Sequence, residues 1–108
     1  MIKELIGMET NTFYSFFSLS MTLADDATHR VCDFDIPFYE MNMHCETHNL
    51  YYGTGEECSA PFTVGDVVSF RNGNLRDIFI KNRTAGDNGK VVIVATVPQE
   101  SVKDMLRF

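Results

Sequence analysis

The sequence predicts a mainly β domain, a β-rich α+β fold, from two patterns. Residues Thr12–Ala24 alternate apolar and polar with a period of two. Residues Pro61–Val97 divide into runs of β-formers separated by Asn72–Gly73 and Asp87–Asn88–Gly89. Together they predict a small antiparallel sheet or barrel of about five to seven strands, closed by a short C-terminal helix.

In chain order, Ile2–Met8 suits a short strand or a helical turn, with Gly7 opposing a long helix. In Thr12–Ala24, Phe17, Leu19, Met21 and Leu23 share one face, and Ser18, Ser20 and Thr22 the other, which predicts a long half-buried strand. Asp25–Thr28 reads as a turn. From Arg30 to Phe38, Cys32, Phe34, Ile36 and Phe38 point inward against Val31, Asp33 and Asp35, so Arg30–Ile36 is expected to form a hairpin with Thr12–Leu23. Pro37 cannot donate to a ladder and marks an edge or bend. Tyr39, Met41 and Met43 alternate with Glu40, Asn42 and His44 as a further strand.

Glu46–Ala60 is expected to be the long loop, with Leu50–Tyr51–Tyr52 as a short strand inside it; long loops are disproportionately functional. Asn72–Gly73 is the strongest short-range hairpin signal, because both central residues of the favoured turn need positive φ. Val91–Val97 is apolar on both faces except at Thr96, as in a central strand covered on both sides. After Pro98, the near-helical spacing of Val102, Met105, Leu106 and Phe108 predicts the C-terminal helix.

The 108 residues suit a single domain spanning 1–108, and 44% hydrophobic content excludes wholesale disorder. No apolar run reaches the ~18 residues needed to span a bilayer, and no signal-peptide pattern opens the chain, so a cytoplasmic location is expected. Asn82–Arg83–Thr84 matches a glycosylation acceptor but reads as a plain turn.

The net charge of −6 divides into −8 over residues 1–60 and +2 over residues 61–108. An acidic chain is a poor non-specific nucleic-acid binder. An acidic first half suits a basic partner surface.

Phe62–Thr63–Val64–Gly65–Asp66–Val67–Val68–Ser69–Phe70 resembles the opening strand of SH3-like small β-barrels. The resemblance implies that Gly65 permits a tight turn and that Asp66 bonds nearby backbone N–H groups to set register. Barrels of that class bind proteins, peptides and nucleic acids, so function does not follow from it.

The cluster with metal-ligand character is Cys32, Cys45, His48 and Cys58, a Cys3His zinc set in which His44 can substitute. It lacks the second close pair of a zinc signature. Cys45 with His44 or His48 is a nucleophile pair only if the thiolate is stabilised, and the surrounding Glu40, Glu46, Glu56 and Glu57 oppose that. Asp33 and Asp35 read as a solvated edge. No phosphate loop or hydrolase motif is present, so no catalytic residue and no cofactor is expected, and an enzyme is disfavoured.

The sequence reading is a small acidic protein-binding module of phage-inhibitor type that occupies a basic surface of its target. Asp25, Asp26, Asp33, Asp35, Glu40, Glu46, Glu56 and Glu57 would surround anchors Tyr14, Tyr39, Tyr51 and Tyr52. Self-association through the Thr12–Ala24 edge would make it a homodimer instead of a monomer. The alternatives are a nucleic-acid-associated barrel using Arg71, Arg76, Lys81, Arg83 and Lys90, or the zinc domain above.

Overall fold

Period-two alternation along most of the chain becomes nine strands in a computed structural model that describes residues 2–10 and 14–101. The strands are β1 (Ile2–Thr10), β2 (Tyr14–Thr22), β3 (His29–Arg30), β4 (Pro37–Thr47), β5 (Leu50–Gly53), β6 (Ala60–Phe62), β7 (Val67–Asn74), β8 (Phe79–Asn82) and β9 (Lys90–Pro98). They form two antiparallel sheets, ordered β1-β2-β9-β4-β7 and β3-β8-β5-β6. The connections β1–β2 and β5–β6 stay within a sheet, and the others cross between sheets, as in a jelly roll. No SH3-like barrel forms: that expectation is corrected by the two open sheets.

One hydrophobic core fills the space between the sheets. The five-stranded sheet contributes Phe17, Leu19 and Met21 from β2, Met41, Met43 and Cys45 from β4, and Val91, Ile93, Ala95 and Val97 from β9. The four-stranded sheet contributes Leu50, Phe62 and Ile80. Alternate residues of each strand therefore face the core, which is the pattern the sequence carries for β2 and β4. No buried side-chain N or O among the described residues lacks a hydrogen-bond partner.

Several local expectations are corrected. Arg30–Ile36 does not pair with β2; only His29–Arg30 is strand, and it pairs with β8 in the other sheet. Val31 and Cys32 are both buried, which breaks the expected alternation. Asn72–Gly73 is not a hairpin turn, because β7 runs on through Asn74 and the next strand belongs to the opposite sheet. Gly73 is instead required by close approach: a Cβ there would lie 2.6 Å from Cζ of Phe38. Pro37 opens β4, which is an interior strand, not an edge. Strand β9 is central, but only its inner face is covered, since Val94 is 41% exposed.

The Gly65–Asp66 turn does form. Gly65 has φ of 92°, and Asp66 Oδ2 accepts from the Thr63 N–H at 3.0 Å. Asn82 of the acceptor pattern is buried, and its Nδ2 donates to the carbonyls of Leu23, Asp25 and Asp87 at 3.2, 2.9 and 2.8 Å. Its Oδ1 accepts from Gly89 N–H at 3.0 Å. One side chain thus ties the β2–β3 and β8–β9 connections together. The expected C-terminal helix is not supported: only a 3-10 turn, Gln99–Ser101, follows β9, and Val102 to Phe108 and Phe13 lie outside the described residues.

Candidate functional site

Buried apolar side chains line the sandwich interior, so a site for a polar ligand belongs at the loops. The β5–β6 connection supplies one. Strand β5 ends at Gly53, the chain turns through Thr54–Ser59, and β6 returns from Ala60. The loop closes tightly because Gly53 lacks a side chain: a Cβ there would sit 3.0 Å from Cα of Cys58. The Cys58 N–H donates to the Gly55 carbonyl at 3.1 Å. Together Tyr52, Thr54, Glu56, Glu57, Cys58 and Ser59, with Gly53, Gly55 and Ala60, line an open concavity of about 390 Å³.

Its exposed rim is polar and acidic. Glu56 and Glu57 are exposed carboxylates at the turn, and Thr54 and Ser59 add hydroxyls. The Tyr52 ring is held edge-on against Phe62 and Phe70, with centroids 5.6 and 6.2 Å away. Burial pushes the Cys58 thiol up to about 11, with Lys81 partly opposing the shift. At neutral pH this sulfur is a protonated wall atom whose S–H points to the Tyr51 carbonyl at 3.5 Å, not a nucleophile.

The sequence-predicted residues fall at separate places. Tyr52, Glu56, Glu57 and Cys58 meet in the concavity. Asp25 and Asp26 lie on the β2–β3 connection; Asp25 bonds His29 at 2.6 Å, and Asp26 accepts from the Gly86 N–H at 3.3 Å. Asp33 and Asp35 are exposed on the β3–β4 connection, with Asp35 3.0 Å from Arg76. Glu46 pairs with His44 at 3.1 Å, and Glu40 stands on the outer face of the five-stranded sheet opposite Arg71. Tyr14 packs edge-on against Phe16 at 5.0 Å, and Tyr39 is 48% exposed on β4. Tyr51 faces away from the core under the Arg83 guanidinium at 5.3 Å, whereas Tyr52 packs against the core.

The cations are divided too. Arg71 lies on β7 and Lys90 on β9 in one sheet, Lys81 on β8 in the other. Arg76 occupies the 3-10 turn Leu75–Asp77 between the sheets. Arg83 is engaged by the Leu50 carbonyl at 3.1 Å. Cys32, Cys45 and Cys58 are each buried and none forms a disulfide, and among the described residues no three His, Cys, Asp or Glu side chains are grouped to hold a metal ion. Burial, then the nearby Asp66 charge, raises the Cys45 thiol, which bonds the His48 carbonyl at 3.2 Å. Sequence reasoning marked Glu46–Ala60 as the functional loop but passed over Thr54 and Ser59. The Gly53-x-Gly55 spacing was the available signal.

No protein-family model matches the sequence, and no curated protein matches it. Solved structures do match. An RmlC-like cupin protein from Desulfovibrio desulfuricans is similar over 90% of this chain and 80% of its own, with a TM-score of 0.64 and 18% identity. An RmlC-like cupin family protein with a double-stranded β-helix fold from Methanocaldococcus jannaschii is similar over 92% and 84%, with a TM-score of 0.58 and 11% identity. The fold is the cupin double-stranded β-helix. A sugar phosphate isomerase of the cupin superfamily from Silicibacter pomeroyi is similar over 74% of this chain and 50% of its own, with a TM-score of 0.52 and 16% identity.

The cupin fold overturns the SH3-like resemblance, and the similar cupins speak against the phage-type inhibitor reading drawn from size and charge. The argument against an enzyme also loses its footing, since the similar cupins include an isomerase. Among the described residues no helix is long and apolar enough to cross a membrane.

Proposed function

We propose that this cupin-fold chain binds a small polar molecule, neutral or cationic, in the β5–β6 concavity. The observation that carries the reading is the convergence of two carboxylates, two hydroxyls and an aromatic ring around about 390 Å³. That volume falls in the ~300–1,000 Å³ range of small-molecule sites. Carboxylates and hydroxyls accept and donate to polyols and amines. A hydroxyl-rich ligand agrees with the sugar substrate named for the isomerase, but its phosphate does not carry over. Glu56, Glu57 and a net charge of −6 repel an anion.

Catalysis on such a molecule is the second reading, favoured by adjacent Glu56 and Glu57 as an acid–base pair at the same wall. A thermal-shift panel of polyols, amino sugars, diamines and sugar phosphates tests binding. At about a hundred times Kd a true ligand stabilises by about 2.7 kcal/mol, a rise of several degrees in Tm. The reading expects that rise with uncharged or aminated members and its loss in a Glu56→Gln/Glu57→Gln variant. A rise confined to phosphorylated members, or one unchanged in the variant, contradicts it. Turnover of a bound member that the same variant abolishes selects the enzyme.

A further inference from the structure

The outer face of the four-stranded sheet is cationic, and we infer that it docks an acidic, extended segment of another protein. Cross-strand register places Arg30, Phe79 and Gly53 in one row and Lys81, Tyr51 and Pro61 in the next. Leu50, Tyr52, Phe62 and Ile80 take the alternate positions and face the core. The Arg83 N–H donates to the Asn49 carbonyl at 3.1 Å, which carries the ladder one residue past β8 and returns Arg83 to the outer side. Phe79 stands apart from the central core cluster and is buried, at 7% exposure, beneath Arg30.

Two of the cations rest on rings. The Arg30 guanidinium carbon lies 5.1 Å from the centre of the Phe79 ring, and that of Arg83 lies 5.3 Å from the centre of Tyr51. Arg83 also donates through Nε and Nη2 to the Leu50 carbonyl at 3.3 and 3.1 Å. Cations already held in place lose little rotamer freedom when a ligand arrives. No carboxylate among the described residues lies within ion-pair distance of Arg30, Lys81 or Arg83. Glu56 and Glu57 stand on the loop beyond Gly53, two strands away from Arg30, so they border the face without neutralising it. The face thus opposes in sign the net charge of −6. At physiological salt the repulsion from the rest of the chain is screened beyond ~8 Å, and the local sign governs contact.

Spacing and ring cover select the occupant. Lys81 and Arg83 are two residues apart along one strand direction, ~6.8 Å, and Arg30 lies about 8 Å from Lys81 on the diagonal to the next strand. Alternate side chains of an extended peptide repeat at the same ~6.8 Å, so carboxylates at i, i+2 and i+4 meet the three cations as charge-assisted hydrogen-bond partners. A single-stranded nucleic acid also presents spaced anions, but it draws affinity from bases stacked on open rings. Here a guanidinium covers each ring, which favours the acidic peptide.

Fluorescence anisotropy of the full chain with a labelled decapeptide of alternating Glu and Ser tests this. The inference expects binding at about 50 mM salt that weakens at about 200 mM. Arg30→Gln and Lys81→Gln should each raise Kd roughly two- to fivefold. Arg71→Gln, on the other sheet, should leave it unchanged. Circular dichroism melts confirm that the variants remain folded, and Lys81→Gln disturbs no ring contact, so it reads charge alone. A peptide that does not bind at about 50 mM salt overturns the inference. So does binding unchanged in both Arg30→Gln and Lys81→Gln, or equally tight binding of a decapeptide with its glutamates in one block. A thymidine decanucleotide that binds more tightly than the alternating peptide, and is lost in the same variants, overturns it in favour of single-stranded nucleic acid.

Discussion

Asn82 illustrates how one polar side chain holds a loop-rich end together. It donates to three carbonyls and accepts from Gly89, all in a site that is 3% exposed. Asn82→Ala leaves those groups partly unpaired, at about 1–3 kcal/mol for each one that water cannot reach. We expect a loss of about 3 kcal/mol in urea unfolding; a loss below about 0.5 kcal/mol, typical of a surface change, contradicts the clasp. The sequence pattern Asn82–Arg83–Thr84 hid this role, since burial of a polar residue is not written in its neighbours.

Asp25 is a second single-residue case. A hydrogen bond from His29, then one from the Ala27 N–H, holds its carboxyl below the ordinary 3.8. Its contribution is present above that value and lost as pH falls through the lower folded one. The Ala27 amide resonance should therefore titrate at a pH below 3.8, and should not titrate in Asp25→Asn. A midpoint above 3.8 contradicts the bond. Cys58 runs the other way, raised by burial to about 11. Its stabilisation is complete below the ordinary 9.0 and disappears as pH rises through about 11. Alkylation of Cys58 at neutral pH should be about a hundredfold slower than that of an exposed thiol.

Among the strands, β2 and β4 were legible because each has one buried face and one wet face, so period two survives in the residue types. Strand β9 was legible as central but not as half-covered: Val92 and Val94 look like core residues whether or not anything lies over them. The Asn72–Gly73 break failed for a physical reason. Glycine serves both positive φ and close packing, and here Asn72 takes φ of 53° while Gly73 admits the Phe38 ring. Gly73→Ala should cost about 1–3 kcal/mol by overpacking, read from the urea midpoint at constant m. Gly73→Ala at wild-type stability contradicts the close packing of Gly73 against Phe38.

Across the molecule, what was not legible was which sheet each strand joins. Alternation looks the same in either sheet, and the crossing connections from β2 to β3 and from β7 to β8 carry no mark that separates them from hairpins. Acids near one another in sequence, such as Asp25–Asp26 and Asp33–Asp35, are carried by different connections. The β5–β6 loop was visible as a loop, but its concavity depends on Gly53 and Cys58 meeting across six residues of chain.

That concavity is best tested by amide chemical-shift mapping during titration with the tightest-binding polyol or amine of the thermal-shift panel. Binding at the proposed site concentrates the perturbed amides in Gly53–Ala60 and removes them in Glu56→Gln/Glu57→Gln. Perturbations centred on another part of the sandwich, or a panel in which no member moves Gly53–Ala60, would contradict it.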